Sequence, residues 1–191
     1  FDSALAASLF ADGVDATLYD KILYMGNEKY IHFLHAFFAM KKQVLDIEEF
    51  HVYDIALDLE PATDVRYTID ECRTILKKAL GVLGDDYIEG IDRAFAERWI
   101  DFYPSKEKRT GAYSWGTYDS NPYILMNFTG SYDSLSTLAH ELGHSMHSYY
   151  SNRHNRPMLA NYQIFVAEVA STVNEILLNR YLLDTSTDKA Y

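Results

Sequence analysis

Residues 134–151 read SLSTLAHELGHSMHSYYS, and the pentapeptide His140-Glu141-Leu142-Gly143-His144 at their centre decides how the rest of the chain is read. Residues four apart in an α-helix lie one turn above each other, so His140 and His144 can aim two imidazole nitrogens at one metal ion. Glu141 falls about 100° round from His140, beside such an ion instead of on it, where a general base for a bound water is required. The flanking residues supply the helix. Leu135, Leu138, Leu142, Met146 and Tyr149 recur at helical spacing as an apolar stripe, while His140, His144 and His147 fall together on roughly the opposite side. Asp133 or Ser134 is placed to cap the N-terminus. Gly143 costs about 1 kcal/mol relative to Ala inside a helix, which predicts a close approach of another element there. A chance match on a solvated helix face competes with the metal reading of the pentapeptide alone.

Downstream, a polar loop over residues 152–161 leads into a long predicted helix, residues 162–183. Its expected buried side carries Phe165, Val166, Val169, Ala170, Val173, Ile176, Leu177 and Leu182. Glu168, Thr172, Glu175 and Asn179 form a polar stripe against that background. A carboxylate within Phe165–Ala170 is costly to bury without a charged or metal partner. Glu168 lies 24 residues after His144, far enough for a return helix to face the first, and is the natural third ligand of a His₂Glu site with an open fourth position. A solvent-facing stripe explains Glu175 and Asn179 nearly as well, and Glu168 less well.

Upstream, residues 1–103 read as a helical scaffold. One helix candidate covers residues 15–24, and a second, richly apolar one runs from Tyr30 to the cations Lys41 and Lys42. His32 and His35 lack a nearby carboxylate and are read as core or rim residues. A mixed stretch, residues 50–59, breaks at Glu60-Pro61. Thr68 and Glu71 make a capping box for a helix burying Ile69, Cys72, Ile75, Leu76, Ala79 and Leu83. Asp85-Asp86 is expected to cap the next, with the stripe Ile88, Ile91, Phe95 and Trp99. Residues 104–130 change in texture. Residues 111–116 and 123–128 read as two short strands of a small antiparallel sheet next to the metal helix. An exposed strand edge there can pair with an extended peptide backbone, although an ordinary hairpin covering the core has the same composition. Residues 131–191 supply the metal-binding helices. The fold class is thus mainly α, in one partial catalytic domain.

Composition excludes several functions. Hydrophobic residues are 48% of the 191, so the chain is globular and not disordered. The net charge of −11 comes without any basic run, which argues against nucleic acid. No apolar run approaches the eighteen or so residues of a membrane span. Cys72 is the sole cysteine, so no internal disulfide can form and a reducing cytoplasm fits best. The chain starts at Phe1 without a methionine, and reads as a piece of something longer.

The stretches KRTGAYSWGTYDSNPYILMNF (residues 108–128), TLAHELGHSMHSYYS (137–151) and FVAEVASTVNE (165–175) resemble the catalytic core of oligoendopeptidase F, a relative of thimet oligopeptidase among the zinc metallopeptidases. The similarity extends to FHVYDIALDL (50–59) and AFAERWIDFYPS (94–105), and so covers most of the chain. The resemblance implies His140, His144 and Glu168 as ligands of one Zn²⁺ per chain, with Glu141 as the base. It implies a largely helical fold around a deep channel that admits short, unstructured peptides, with Gly111, Ala112, Tyr113, Ser114 and Trp115 along the substrate. Glu175 is placed to orient a ligand histidine, and His147 belongs to the same surroundings or to the rim. In the family, a tyrosine and a histidine that stabilise the tetrahedral intermediate lie well downstream of the third ligand, beyond residue 191. The remainder of the parent polypeptide is expected to complete the active site, so the metal site can be whole where the catalytic machinery is not.

The expected activity is therefore zinc-dependent endopeptidase cleavage of short oligopeptides. Two rivals stand beside it. A non-catalytic peptide-binding or scaffold fragment predicts affinity without cleavage. A different H-E-x-x-H hydrolase, acting on small acyl groups, predicts a cysteine or a further histidine as third ligand.

Overall fold

The computed structural model describes residues 1–57, 59 and 65–185. They form two compact units, one over residues 1–59 and one from Val65 onward. The first unit holds α1 (Ala4–Phe10), α2 (Ala16–Tyr24) and α3 (Ile31–Val44). Asp15 caps α2, its carboxylate accepting from the Thr17 N–H at 2.7 Å. Gly26 and Asn27 punctuate the chain as their composition suggests, in a π-turn over Met25–Lys29. Lys41 is buried in this unit and donates to the Ile55 carbonyl at 2.7 Å. His32 and His35 lie exposed on α3, and the break expected at Glu60-Pro61 lies outside the described residues.

The second unit contains the helix that carries His140 and His144. α4 (Ile69–Ala79) begins at the expected capping box, in which Thr68 Oγ1 accepts from the Glu71 N–H and the Glu71 carboxylate accepts from the Thr68 N–H. Cys72 and Leu76 are fully buried. Leu83 falls past the helix end, in a short 3₁₀ turn, and is exposed. α5 (Asp85–Ala96) packs beside α4. Gly84 precedes it with φ +105°, so Asp85 and Asp86 occupy its first turn instead of capping it. There they suit the positive end of the helix dipole. The salt link between the two helices is Asp92, which accepts from Arg73 at 2.6 Å and Lys77 at 2.7 Å.

The helical stripe expected to reach Trp99 stops at Ala96. Arg98 adopts a left-handed backbone (φ +57°), and Trp99 turns into a strand. That strand, β1 (Ile100–Asp101), lies parallel to β3 (Tyr123–Leu125), and β2 (Tyr113–Trp115) lies antiparallel to β3, giving the order β1-β3-β2. The sheet is therefore mixed. The expected antiparallel pair is present, with Ser114 opposite Ile124 and Trp115 opposite Tyr123, and a parallel strand is added on its far side. β2 is an edge.

α6 (Tyr132–His154), a short α7 (Pro157–Ala160) and α8 (Ile164–Thr185) complete the unit. Ser131, and neither Asp133 nor Ser134, caps α6 by accepting from the Ser134 N–H. Leu135, Leu138, Leu142 and Met146 are buried as one stripe against the core formed by Leu76, Leu80, Ile91, Trp99, Ile124 and Met126. α8 keeps part of its expected face, with Leu177 and Leu182 packed against the core, and is turned over the rest. Ala167, Ser171, Asn174 and Leu178 are buried, while Phe165, Val166, Val169, Val173 and Ile176 are exposed. Close crossing explains this. A Cβ at Gly143 would stand 2.6 Å from Ser171 Cα, so the contact admits only small residues, and volume overrides hydropathy. No helix among the described residues is long and apolar enough to cross a membrane.

Candidate metal centre

The site is built from two helices and a strand. On α6, His140 and His144 stack one turn apart, and Glu141 and Ser145, each one residue further on, form a second row about 100° round. On α8, Glu168 faces the histidine row. His140 Nε2 lies 3.1 Å from His144 Nε2, and Glu168 Oε2 lies 3.3 Å and 3.4 Å from those two atoms respectively. For donors about 2.0–2.1 Å from a tetrahedral divalent ion, the edge of the tetrahedron is roughly 3.3 Å. The three separations bracket that value, so the donor set fits such an ion.

Protonation supports the fit. Glu175 Oε2 lies 3.2 Å from His140 Nδ1 and is the acceptor that holds the proton there, which leaves a lone pair on Nε2 aimed at the other donors. Glu175 is in turn held by Ser136, whose hydroxyl donates to Oε1 at 3.3 Å. Burial lowers the His144 pKa, against the opposing pull of Glu168, which favours the neutral ring. Ser171 donates to Glu168 Oε2 at 2.7 Å and fixes the carboxylate rotamer. Glu168 itself is 57% exposed and stands on the wall of an open cleft. The expectation of a buried carboxylate at this position is corrected: two histidines, and not desolvation, mark it out.

Glu141 is 6% exposed, and its Oε2 has no hydrogen-bond partner among the described residues. Burial is the main cause that raises its pKa. The electrostatic influence of His140 and the Ser114 main-chain N–H lower it, and Glu168 and Glu175 raise it further. A desolvated carboxylate with a spare oxygen beside a ligand set is placed to accept a proton.

The cleft beside these groups encloses about 800 Å³. Ala112, Tyr113, Ser114 and Trp115 line it, together with Tyr162 and Ala167. Gly111 stands outside the lining, in a turn at φ +86°, where its carbonyl accepts from Asn127. His147 is not brought to the donor set. It stacks on Tyr162 with ring centres 3.7 Å apart, and burial lowers its pKa.

Several site residues carried no signal in the motif. Asn174, buried in α8, donates to the Ala139 carbonyl at 3.0 Å and accepts from the Tyr87 hydroxyl, fastening α8 to α6 just before His140. Ser136, Ser145 and Ser171 read as ordinary helix serines. Ser171, three residues after Glu168, was the one that i,i+3 spacing could have found.

The family model of Peptidase family M3 matches residues 1–191. Oligopeptidase PepF of Bacillus subtilis is 41% identical over 189 residues, which are 99% of this chain and 28% of that protein. The chromosomal oligoendopeptidase F of Lactococcus lactis subsp. cremoris is 37% identical over 189 residues, 99% of this chain and 31% of that protein. A crystal structure of a peptidase from Chlamydophila abortus superposes with a TM-score of 0.85 at 37% identity, covering 99% of this chain and 31% of that one. The chain belongs to peptidase family M3. It spans under a third of the length of each of these relatives.

Proposed function

We propose that this chain is the metal-binding portion of a zinc-dependent endopeptidase that hydrolyses short oligopeptides. The observation that carries the reading is the triangle of His140, His144 and Glu168 donor atoms, each pair 3.1–3.4 Å apart, with the buried Glu141 carboxylate and its unpartnered Oε2 beside it. Residues 1–191 cover 28–31% of the relatives, so turnover is ascribed to the full-length polypeptide.

When bound, Zn²⁺ supplies Lewis acidity, lowering the pKa of water toward about 7 and polarising the peptide carbonyl. The side chains do the rest. Glu175 holds the Nδ1 proton of His140 and so keeps its Nε2 available. Ser171 holds Glu168 in the rotamer that faces both histidines. Glu141 takes a proton from the water that attacks the scissile carbonyl and delivers it to the departing amine, so the proton released in one half of the reaction is consumed in the other. The β2 edge and the 800 Å³ cleft suit an extended segment. The rival with a thiol ligand lacks support: Cys72 is fully buried in the α4 core, where burial pushes its pKa to about 12.

Elemental analysis of the purified 191-residue chain tests the centre, beside His144→Ala and Glu168→Ala. One zinc per chain is expected, lost or greatly weakened in both variants. Zinc retained by Glu168→Ala would move the third ligand elsewhere and revive the other-hydrolase reading. In the full-length enzyme, Glu141→Gln should lower turnover by at least about 100-fold with zinc content unchanged. Normal turnover in that variant would rule out Glu141 as the base.

A further inference from the structure

His147 is the motif histidine left without a task at the donor set. Three residues after His144, it projects about 60° away from that side chain on α6. Its ring lies face to face with that of Tyr162, 3.7 Å between centres and 12° between planes. His147 Nδ1 is buried with no hydrogen-bond partner among the described residues, so the stack, and no bond at that atom, locates the ring. Tyr162 is fixed again through its hydroxyl, which lies 2.7 Å from that of Ser148. Further along α6, the Ser151 hydroxyl donates to the Ala160 carbonyl at 2.6 Å. Side chains 147, 148 and 151 of α6 thus grip residues 160–162, in the connection between His144 and Glu168. Ala160 and Tyr162 line the 800 Å³ cleft, whereas His147 does not; with Pro157, Ile164 and Ala167 they form an apolar run of its lining. The same end of α6 holds residues 117 and 118, which follow β2 in the lining. Asn152 donates to the Thr117 carbonyl at 3.3 Å, and the Tyr118 hydroxyl donates to the Asn155 carbonyl at 2.9 Å. The turns of α6 beyond His144 therefore space the segments that a peptide in the cleft would meet.

We infer that His147 is a positioning residue for peptide binding: its ring backs Tyr162, and so holds the apolar part of the cleft lining in place against a bound peptide. The inference rests on the reading of the cleft as a peptide site. His147 stands outside the group of donors that could share an ion, so its loss should leave zinc in place.

Hydrogen exchange of residues 158–163 in the full-length enzyme, read by mass spectrometry, tests the grip. Stacked rings shift an equilibrium by about two- to tenfold, and His147→Ala should speed exchange there by about that factor. Peptide affinity should weaken by a similar factor. It is read as KM on a fluorogenic oligopeptide where the parent turns over, and as an anisotropy Kd for the labelled peptide where it does not. A raised KM with kcat within about twofold marks binding lost equally from ground and transition states, and zinc content should be unchanged. His147→Phe keeps a ring to stack and sacrifices no hydrogen bond at Nδ1, so it should rescue both exchange and affinity. Should His147→Ala fail to fold, Tyr162→Leu removes the same stack from the side of the connection and should speed exchange alike. Parental exchange in His147→Ala, parental affinity despite faster exchange, or equal effects of Ala and Phe would each overturn the inference. Zinc lost from His147→Phe would assign His147 to the metal centre and overturn it too. Exchange needs neither metal nor turnover, which separates the two levels. If the parent binds the peptide without cleaving it, the hydrolase reading fails and the positioning role is still decided by exchange and Kd.

Discussion

Replacing Gly143 by Ala pits two known effects against each other, and the structure decides between them. Judged by helix propensity, the change should stabilise α6 by about 1 kcal/mol. Judged by packing, it cannot be accommodated in place. The added Cβ would meet Ser171 Cα at 2.6 Å, the Ala170 carbonyl oxygen at 2.7 Å and the Ser171 nitrogen at 2.8 Å. Carbon contacts settle near 3.5–4.0 Å, so α8 must retreat by roughly 0.9 Å or more. All three obstacles are main-chain atoms, and no side-chain rotation relieves them. Overpacking costs about 1–3 kcal/mol, and here the upper half of that range applies, giving a net loss of about 1–2 kcal/mol. For a chain of this size that lowers Tm by roughly 2–8 °C. The larger effect falls on the donors, because His144 rides on α6 and Glu168 on α8. Metal–ligand distances tolerate about 0.2 Å, so a retreat several times larger should weaken zinc at least about tenfold, the lower end of what loss of an outer hydrogen bond does. The assay is competition against a chromophoric chelator, with thermal melts of the metal-free chain. A raised Tm with parental zinc affinity would refute the packing analysis outright.

Glu175→Ala removes the acceptor of the His140 Nδ1 proton, and zinc affinity should fall by about 10–100-fold; an unchanged competition titration would show that Glu175 does not orient the ligand. Asp92 gives a pH signature. Burial pushes its pKa up, but the hydrogen bonds and charges of Lys77 and Arg73 outweigh this and hold it below the usual carboxylate range. A depressed folded-state pKa stabilises the fold above the unfolded value and loses that contribution as pH falls through the folded one. Asp92→Asn should therefore cost about 1 kcal/mol near pH 7, and the deficit relative to the parent should vanish in acid, well below pH ~4. Denaturant melts at both ends of that range check it, and an equal deficit throughout would mean the charge is not what Asp92 contributes.

Much of the second unit could be read from residue patterns because those patterns are local. The Thr68–Glu71 box, the Leu135–Leu138–Leu142–Met146 stripe and the His140–His144 spacing each depend on residues within a turn or two of one another. Glu168 was selected on the idea that it is buried, whereas it stands on the cleft wall; the position held and the reason did not. What the patterns missed is tertiary. Over its first half α8 packs by a side other than its most apolar one, because that side is set by the close approach at Gly143, which small residues such as Ser171 fit; Leu177 and Leu182 pack as their pattern predicts. β1 was hidden just past a helical stripe that ends at Trp99, since its two residues are strand only by virtue of β3. The 2.8 Å hydrogen bond between the Ser145 and Ser114 hydroxyls joins elements 31 residues apart, and neither serine differs in sequence from a solvent-facing one.

The order in which the donors occur along the chain has a consequence for how the site comes into being. All three sit on α6 and α8, a helical pair joined by a short connection, with only 24 residues from His144 to Glu168. The entropy of closing a loop rises only slowly with its length, and contacts between near neighbours form fastest. Asn174 and Glu175 follow within the next two turns, so once the ribosome has released Glu175 every side chain that shapes the donor triangle exists. The triangle can close while later residues are still being synthesised, and a metal captured then would lend its binding energy to folding of the helical pair itself.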